Sequence, residues 1–228
     1  MTGLASAVPG SNLLSRHVRA GKVYRREDLL PYSNSVDREL QRLVTAGTLR
    51  KLAQGLYFKP KKNVFGDVPP DEKELLAAFL RDKNFLSFNP SVYNSLRLGT
   101  TQLYNKTVVY NHKRHGQFKL GNRTYDFRVK HRFPKPAQVT PEFLLVDMLN
   151  NLAELAEDEM DVLDHAQLKL ASFDQKLLRK MLEEYGSVAT KRRVGGWLAR
   201  QTAQAAQAGQ AGQAGQAGQA PSVVAPMM

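Results

Sequence analysis

The chain has 228 residues, 42% of them hydrophobic, which is enough apolar material for one or two folded domains. It contains no cysteine, so structural disulfides, thiolate zinc sites and a cysteine nucleophile are excluded. Residues 1–62 carry 12 Lys/Arg against 4 Asp/Glu, residues 63–137 carry 13 against 6, and residues 138–228 carry 8 against 11. This basic balance favours a polyanionic partner.

A membrane partner is not expected, because no apolar run approaches the roughly 18 residues of a spanning helix. Residues 1–10 include several small residues but lack the basic start and the apolar stretch of a secretory signal. We therefore expect a cytoplasmic protein with a flexible N-terminus over residues 1–10.

The next segment, residues 11–62, predicts the element order of a winged helix-turn-helix. Residues 12–20 form the first predicted helix, closed by Gly21, and residues 22–24 form a short strand. Residues 26–30 predict a brief second helix, which Pro31 disfavours continuing.

A third helix follows within residues 33–46, where Val36, Leu40, Leu43 and Val44 recur at helical spacing. One of Ser33, Asn34 and Ser35 can cap its start, and Gly47 ends it. Residues 48–52 and 56–59 are β-prone, and the glycine of the intervening Ala53-Gln54-Gly55 suits a tight turn. The helix and this short wing would form the DNA-reading half of the domain.

The remaining chain predicts a linker over residues 61–70 and then a second domain of helix, sheet and helix. Asp71 caps a helix, Asn89-Pro90 begins another, and Thr140-Pro141 begins a third. Strands are predicted over residues 106–110, 117–120 and 124–132, and further helices over residues 174–185 and 187–199. The fold class is thus α+β, with a winged helix-turn-helix domain at 11–62, an α+β domain at 63–200 and a low-complexity disordered tail at 201–228.

The polar face of the third helix and the residues after it are the candidate DNA site. Arginine and glutamine side chains can bind guanine and adenine edges bidentately, while lysines and a helix N-terminus suit phosphates. The alternative is an ordinary solvated helix of mixed charge, and Asp37 and Glu39 argue mildly against close phosphate approach. The predicted DNA-binding residues are Ser33, Asn34, Ser35, Arg38, Gln41, Arg42, Lys51, Gln54, Lys59, Lys61 and Lys62.

A second basic set is interleaved with aromatic residues along the predicted strands. Such a composition fits a nucleic-acid surface and equally an amphipathic sheet whose aromatic residues form the core, and we expect core for the aromatic residues. The possible second nucleic-acid patch comprises Lys106, Lys113, Arg114, Arg123, Arg128, Lys130 and Arg132.

Neither a metal site nor catalysis is indicated. His112 and His115 have an H-x-x-H spacing, but Lys113 and Arg114 between them repel a cation. The acidic residues 154–164 are expected to cap a helix or face water at a junction between helices. Because no phosphate-binding glycine loop and no nucleophile elbow are present, we expect a protein that is not an enzyme and has no cofactor.

Several short motifs occur in a consistent order across residues 12–199. They include Leu52, Gly55 and Tyr57 in RLVTAGTLRKLAQGLY, and Pro141, Glu142, Leu145 and Asp147 in TPEFLLVDML. In this order the chain resembles the AbiE-type antitoxins of type IV toxin-antitoxin systems. The resemblance implies a winged-helix repressor that binds promoter repeats in double-stranded DNA, autoregulates its operon and opposes a nucleotidyltransferase-type toxin, with which it need not form a stable complex.

We therefore expect a DNA-binding, antitoxin-like transcriptional repressor. The alternative is a protein or RNA adaptor that neutralises its partner directly through the second domain.

Overall fold

The computed structural model of the chain describes residues 13–217, and within them it combines helices with three β-sheets, which confirms the α+β class. Two compact units are present. The first comprises residues 13–90 and 104–136, and the second comprises residues 91–103 and 137–217. The predictions for residues 1–10 and for residues 218–228 lie outside the described residues.

The first unit begins with a small helical cluster and a three-stranded antiparallel sheet of order β1-β3-β2. Its elements are α1 (Leu13–His17), β1 (Val23–Arg25), a 3₁₀ helix (Glu27–Tyr32), α2 (Val36–Thr45), β2 (Arg50–Ala53) and β3 (Leu56–Phe58). The element order is the predicted one, although α1 is shorter than expected. The second helical segment continues through Pro31 as a 3₁₀ turn.

The residues predicted as a linker, 61–70, instead contain a two-stranded antiparallel hairpin, so that prediction was wrong. The hairpin strands are β4 (Lys61–Asn63) and β5 (Gly66–Val68). Asn63 and Gly66 are favoured at the two ends of a tight turn, and this signal outweighs the linker composition.

The first unit also contains a helix and a four-stranded sheet of order β6-β7-β9-β8. These are α3 (Glu72–Leu80), β6 (Leu86–Phe88), β7 (Thr107–Asn111), β8 (Gly116–Leu120) and β9 (Arg123–Val129). The side chain of Asp71 caps α3 as expected by accepting from Glu74 N at 2.8 Å. The strand β6 was not predicted, and β7 and β9 pair in parallel.

One hydrophobic cluster joins the three-stranded sheet to the four-stranded sheet and α3. Leu56 of β3 packs in it with Leu76 of α3 and with Val109 and Phe127 of the larger sheet. The predicted boundary at residue 62 therefore does not match the compact units. Residues 13–62 share a core with residues that the sequence analysis had assigned to the second domain.

The second unit consists of a 3₁₀ segment followed by helices. Its main helices are α4 (Pro141–Asn150), α5 (Glu159–Leu168), α6 (Gln175–Tyr185) and α7 (Val188–Ala217). The helix α5 was not predicted, since its acidic residues were read as a junction, yet Asp158 does cap its start. The helix α7 continues into the residues 201–217 that were expected to be disordered, because alanine and glutamine favour helix.

None of the helices within residues 13–217 is long and apolar enough to cross a membrane.

Candidate nucleic-acid interface

The helix α2 has a buried side and an exposed polar side, as its spacing predicted. Val36, Leu40 and Leu43 are buried in a cluster with residues of α1 and the 3₁₀ helix, and Val44 is partly buried against it. Arg38, Gln41 and Arg42 are exposed, and we call these three residues the α2 edge. Arg38 and Arg42 are separated by one helical turn, so the α2 edge presents two guanidinium groups with Gln41 beside them.

The two acidic residues of α2 oppose this positive edge less than the sequence suggested. Glu39 is 8% exposed and its Oε1 accepts a hydrogen bond from Ser33 Oγ at 2.9 Å. Asp37 accepts from Nε and Nη2 of Arg26 at 2.6 and 2.5 Å. One acid is therefore turned inward and the charge of the other is compensated.

The Arg26–Asp37 pair also lowers the pKa of the aspartate. The hydrogen bonds from Arg26 hold the pKa of Asp37 below its usual range. The pair is not apparent from the sequence, because its partners lie 11 positions apart in different elements. As a result, the exposed face of α2 is more cationic than its composition implies.

We expect NMR titration to place the midpoint of Asp37 below the ordinary value of about 4, and Arg26→Ala to raise it towards that value. Because the folded-state pKa is lowered, the pair stabilises the fold above the ordinary pKa, and this contribution disappears as pH falls through the lowered one. Asp82 is the control, because its own lowered pKa comes chiefly from the backbone of Asn84. An unchanged Asp37 midpoint in Arg26→Ala would contradict the pairing.

The N-terminal end of α2 is the place predicted for a phosphate. Asn34 and Ser35 are exposed, and the side chain of Ser35 makes no capping hydrogen bond. Ser33 is different from its neighbours, because its hydroxyl already donates to Glu39 and accepts from Ser35 N. Of the three predicted residues, Asn34 and Ser35 have the more accessible side chains.

The candidate residues that follow α2 do not form a single group. Lys51 and Gln54 are exposed on the β2–β3 hairpin, and Lys61 and Lys62 are exposed on β4. Lys59 is half-buried, and its ammonium donates to the Val18 carbonyl at 2.9 Å. Its charge is therefore partly committed within the fold.

The second basic set lies on β9 and on the segments that flank the strands of the four-stranded sheet, and most of its charges contact groups of the same unit. Arg128 donates from Nε and Nη2 to Oδ2 of Asp126, Arg123 pairs with Glu72, and Lys113 donates to the Arg81 carbonyl. Three further cations lie over aromatic rings: Arg114 over Phe79, Lys130 over Tyr110 and Lys106 over Tyr104. Arg132 is exposed.

Three of the aromatic residues between those cations are core, as expected, whereas Tyr104, Phe118 and Phe133 are only partly buried. Tyr110, Tyr125 and Phe127 are at most 2% exposed. The sheet therefore uses its aromatic residues for packing, and its basic residues largely serve contacts within the unit.

The described part of the chain contains no group of three or more His, Asp or Glu side chains that could hold a metal ion. His112 stacks on Phe133 with ring centroids 4.8 Å apart. This packing gives His112 a structural contact that the H-x-x-H spacing did not indicate.

Residues 12–185 match the family described as "Family of unknown function (DUF6088)", and the chain belongs to that family. No curated protein matches the chain. The fold is similar to that of the RV2827C protein from Mycobacterium tuberculosis, with a TM-score of 0.50 and 16% identity, covering 83% of this chain and 74% of that chain. At this identity the likeness concerns the fold alone.

Proposed function

We propose that the protein binds duplex DNA in a sequence-specific way and represses its own operon, with residues 13–68 acting as a winged helix-turn-helix domain. The observation that carries the proposal is the α2 edge, where Arg38, Gln41 and Arg42 are exposed on a helix whose acids are buried or paired. In such domains the second helix of the motif enters the major groove. The α2 edge supplies the side chains that suit guanine and adenine edges there.

The distribution of charge along the chain also favours DNA as the partner. Residues 1–137 contain 25 Lys/Arg and 10 Asp/Glu, whereas residues 138–228 are slightly acidic. A basic domain gains affinity for DNA because each neutralised phosphate releases counterions. The exposed Asn34, Ser35 and Lys51 suit this positioning role, since contacts to phosphates set the register of the helix without reading the sequence.

The antitoxin part of the proposal rests on the resemblance of the motifs to AbiE-type antitoxins. On this basis the protein opposes a nucleotidyltransferase-type toxin, with which it need not form a stable complex. Co-expression with the neighbouring gene tests this part: the protein should restore growth that the neighbour's product alone arrests. Arrest that persists despite soluble protein would exclude the antitoxin role and leave DNA binding unaffected.

DNA binding is tested directly by titrating two labelled duplexes with the protein. One duplex is taken from the region upstream of the gene, and the other has the same composition in a shuffled sequence. We expect tighter binding to the upstream duplex, with log K falling against log salt by about 0.9 for each phosphate contact. The control is the double variant Arg179→Ala/Lys180→Ala, which removes two exposed charges of α6 and should bind as the wild type does. Equal affinity for both duplexes would exclude sequence-specific reading, and no binding at low salt would exclude DNA as the partner.

A further inference from the structure

The β4–β5 hairpin exposes two large apolar side chains at its tip. β4 and β5 pair in antiparallel register from Lys61 opposite Val68 to Asn63 opposite Gly66, which leaves Val64 and Phe65 as the connecting residues. These two side chains are 92% and 95% exposed. Exposure of neighbouring large apolar side chains commonly marks a binding surface.

The turn itself does not require these apolar residues. Asn63 Oδ1 accepts a hydrogen bond from Phe65 N at 2.9 Å, and Gly66 adopts a φ of 113°. Asparagine at the first position and glycine at the last are the residues that stabilise such a turn. Because Asn63 and Gly66 supply the turn chemistry, the presence of valine and phenylalanine between them calls for another explanation.

The hairpin is cationic as well as apolar. Lys61 and Lys62 are exposed on β4, and the one acid of the hairpin, Asp67, pairs with Arg50. Lysines flanking an apolar wedge are the combination that minor-groove proteins use: the charges contact phosphates while the wedge enters between base pairs. Charge complementarity therefore favours duplex DNA as the occupant of this surface.

The hairpin is joined by an ion pair to the strand that follows α2. Leu49 N donates to the Leu43 carbonyl at 3.1 Å, which places the start of β2 against the last turn of α2. The next residue, Arg50, forms a salt bridge with Asp67 of β5. Arg50 thus links the hairpin to the segment that leaves the helix that we propose lies in the major groove.

The β2–β3 hairpin, which the sequence had suggested as the wing, is instead held within the unit. Gly121 N donates to the Leu52 carbonyl at 2.8 Å, and Leu52 and Ala53 pack against the core cluster of the larger sheet. Arg26 N donates to the Gly55 carbonyl at 2.9 Å, which fixes the turn itself. The β2–β3 hairpin is consequently held at Leu52 and Gly55, and Gln54 of its turn is exposed, whereas both connecting residues of β4–β5 are exposed apolar side chains.

We infer that the β4–β5 hairpin is the DNA-contacting wing of this protein, with Lys61 and Lys62 on phosphates and Phe65 as an apolar wedge in the minor groove. The inference rests on the proposed function and adds to it a second reading element and a bent duplex. Wedges of this kind kink DNA by about 20–90°.

Binding and bending of the upstream duplex, labelled at its two ends for fluorescence energy transfer, test the inference in the full chain. We expect Phe65→Ala to reduce affinity about fivefold to a hundredfold and to abolish most of the wild-type change in transfer. Lys61→Ala/Lys62→Ala should reduce the slope of log K against log salt by about 1.8. The matched controls are Leu168→Ala, which removes a side chain that is 80% exposed on α5, and Lys176→Ala/Lys180→Ala on α6, and both should behave as wild type.

Three outcomes that contradict the inference are distinguishable. If wild type binds the upstream duplex and the α2 edge variants lose specificity while the hairpin variants bind and bend normally, the hairpin is not the wing and DNA binding by α2 stands. If wild type binds no duplex, both the proposed function and this inference are wrong. Hairpin variants that keep DNA binding but lose capture of the neighbouring gene's product would assign the tip to a protein contact and overturn the inference.

Discussion

Replacing Phe127 by alanine is expected to lower the free energy of unfolding by about 3–5 kcal/mol, the usual cost of removing a buried aromatic side chain. Phe127 is fully buried. Its ring centroid lies 5.0 Å from that of Phe79 on α3 and 5.5 Å from that of Phe118 on β8. Alanine would leave a cavity between α3 and β8. These elements cannot both close on it, because β8 is paired with β9 and α3 packs in the same core cluster.

Urea unfolding followed by circular dichroism measures this loss. The matched control is Phe65→Ala, the same substitution at a side chain that is 95% exposed, and it should change stability by no more than about 0.5 kcal/mol. A loss below about 1 kcal/mol for Phe127→Ala, at an unchanged dependence on urea, would contradict the placement of this ring in the core. The control also establishes that Phe65→Ala is folded when its DNA binding is measured.

The elements that the sequence predicted well are those whose signals are local. The repeat of Val36, Leu40 and Leu43 defines α2 because helical spacing alone brings these residues to one side. The caps at Asp71 and Thr140 were equally readable, and both side chains accept the expected backbone hydrogen bonds. In these places the chemistry of a few consecutive residues decides the structure.

Pairings between strands and residues far apart in the chain were harder to predict from the sequence. β6 has only three residues, and its pairing partner β7 lies about twenty positions further along the chain. The parallel pairing of β7 with β9 requires a connection through β8, which no local pattern reveals. The domain boundary failed for the same reason, because Leu56 and Leu76 meet only after the chain has folded.

At the candidate site the sequence predicted the residue types but not their environments. Exposure of Arg38, Gln41 and Arg42 follows from the helical period. The burial of Glu39 does not, because it depends on Ser33 turning back towards the helix. The hairpin tip was missed although Asn63 and Gly66 are a readable turn signal, because the prolines at 69 and 70 favoured a linker.

The substitution Arg42→Ala is expected to cost about 1–3 kcal/mol on the upstream duplex and much less on the shuffled one, because a bidentate contact to a base discriminates by this amount. Removing Arg38 as well should bring the two affinities close together, since both guanidinium groups of the α2 edge are then absent. Val36, Leu40 and Leu43 lie on the opposite side of the helix, so both variants should fold normally.

Lys51→Ala is the matched comparison, because it removes one exposed cation from β2 without changing α2. A phosphate contact carries no sequence information, so this variant should weaken binding to both duplexes alike and reduce the salt slope by about 0.9. The ratio of the two affinities separates the roles: it falls for a residue that reads bases and stays constant for one that only positions the protein. If Arg42→Ala leaves that ratio unchanged, α2 contacts the backbone only, and the sequence preference must come from DNA shape or from the β4–β5 hairpin.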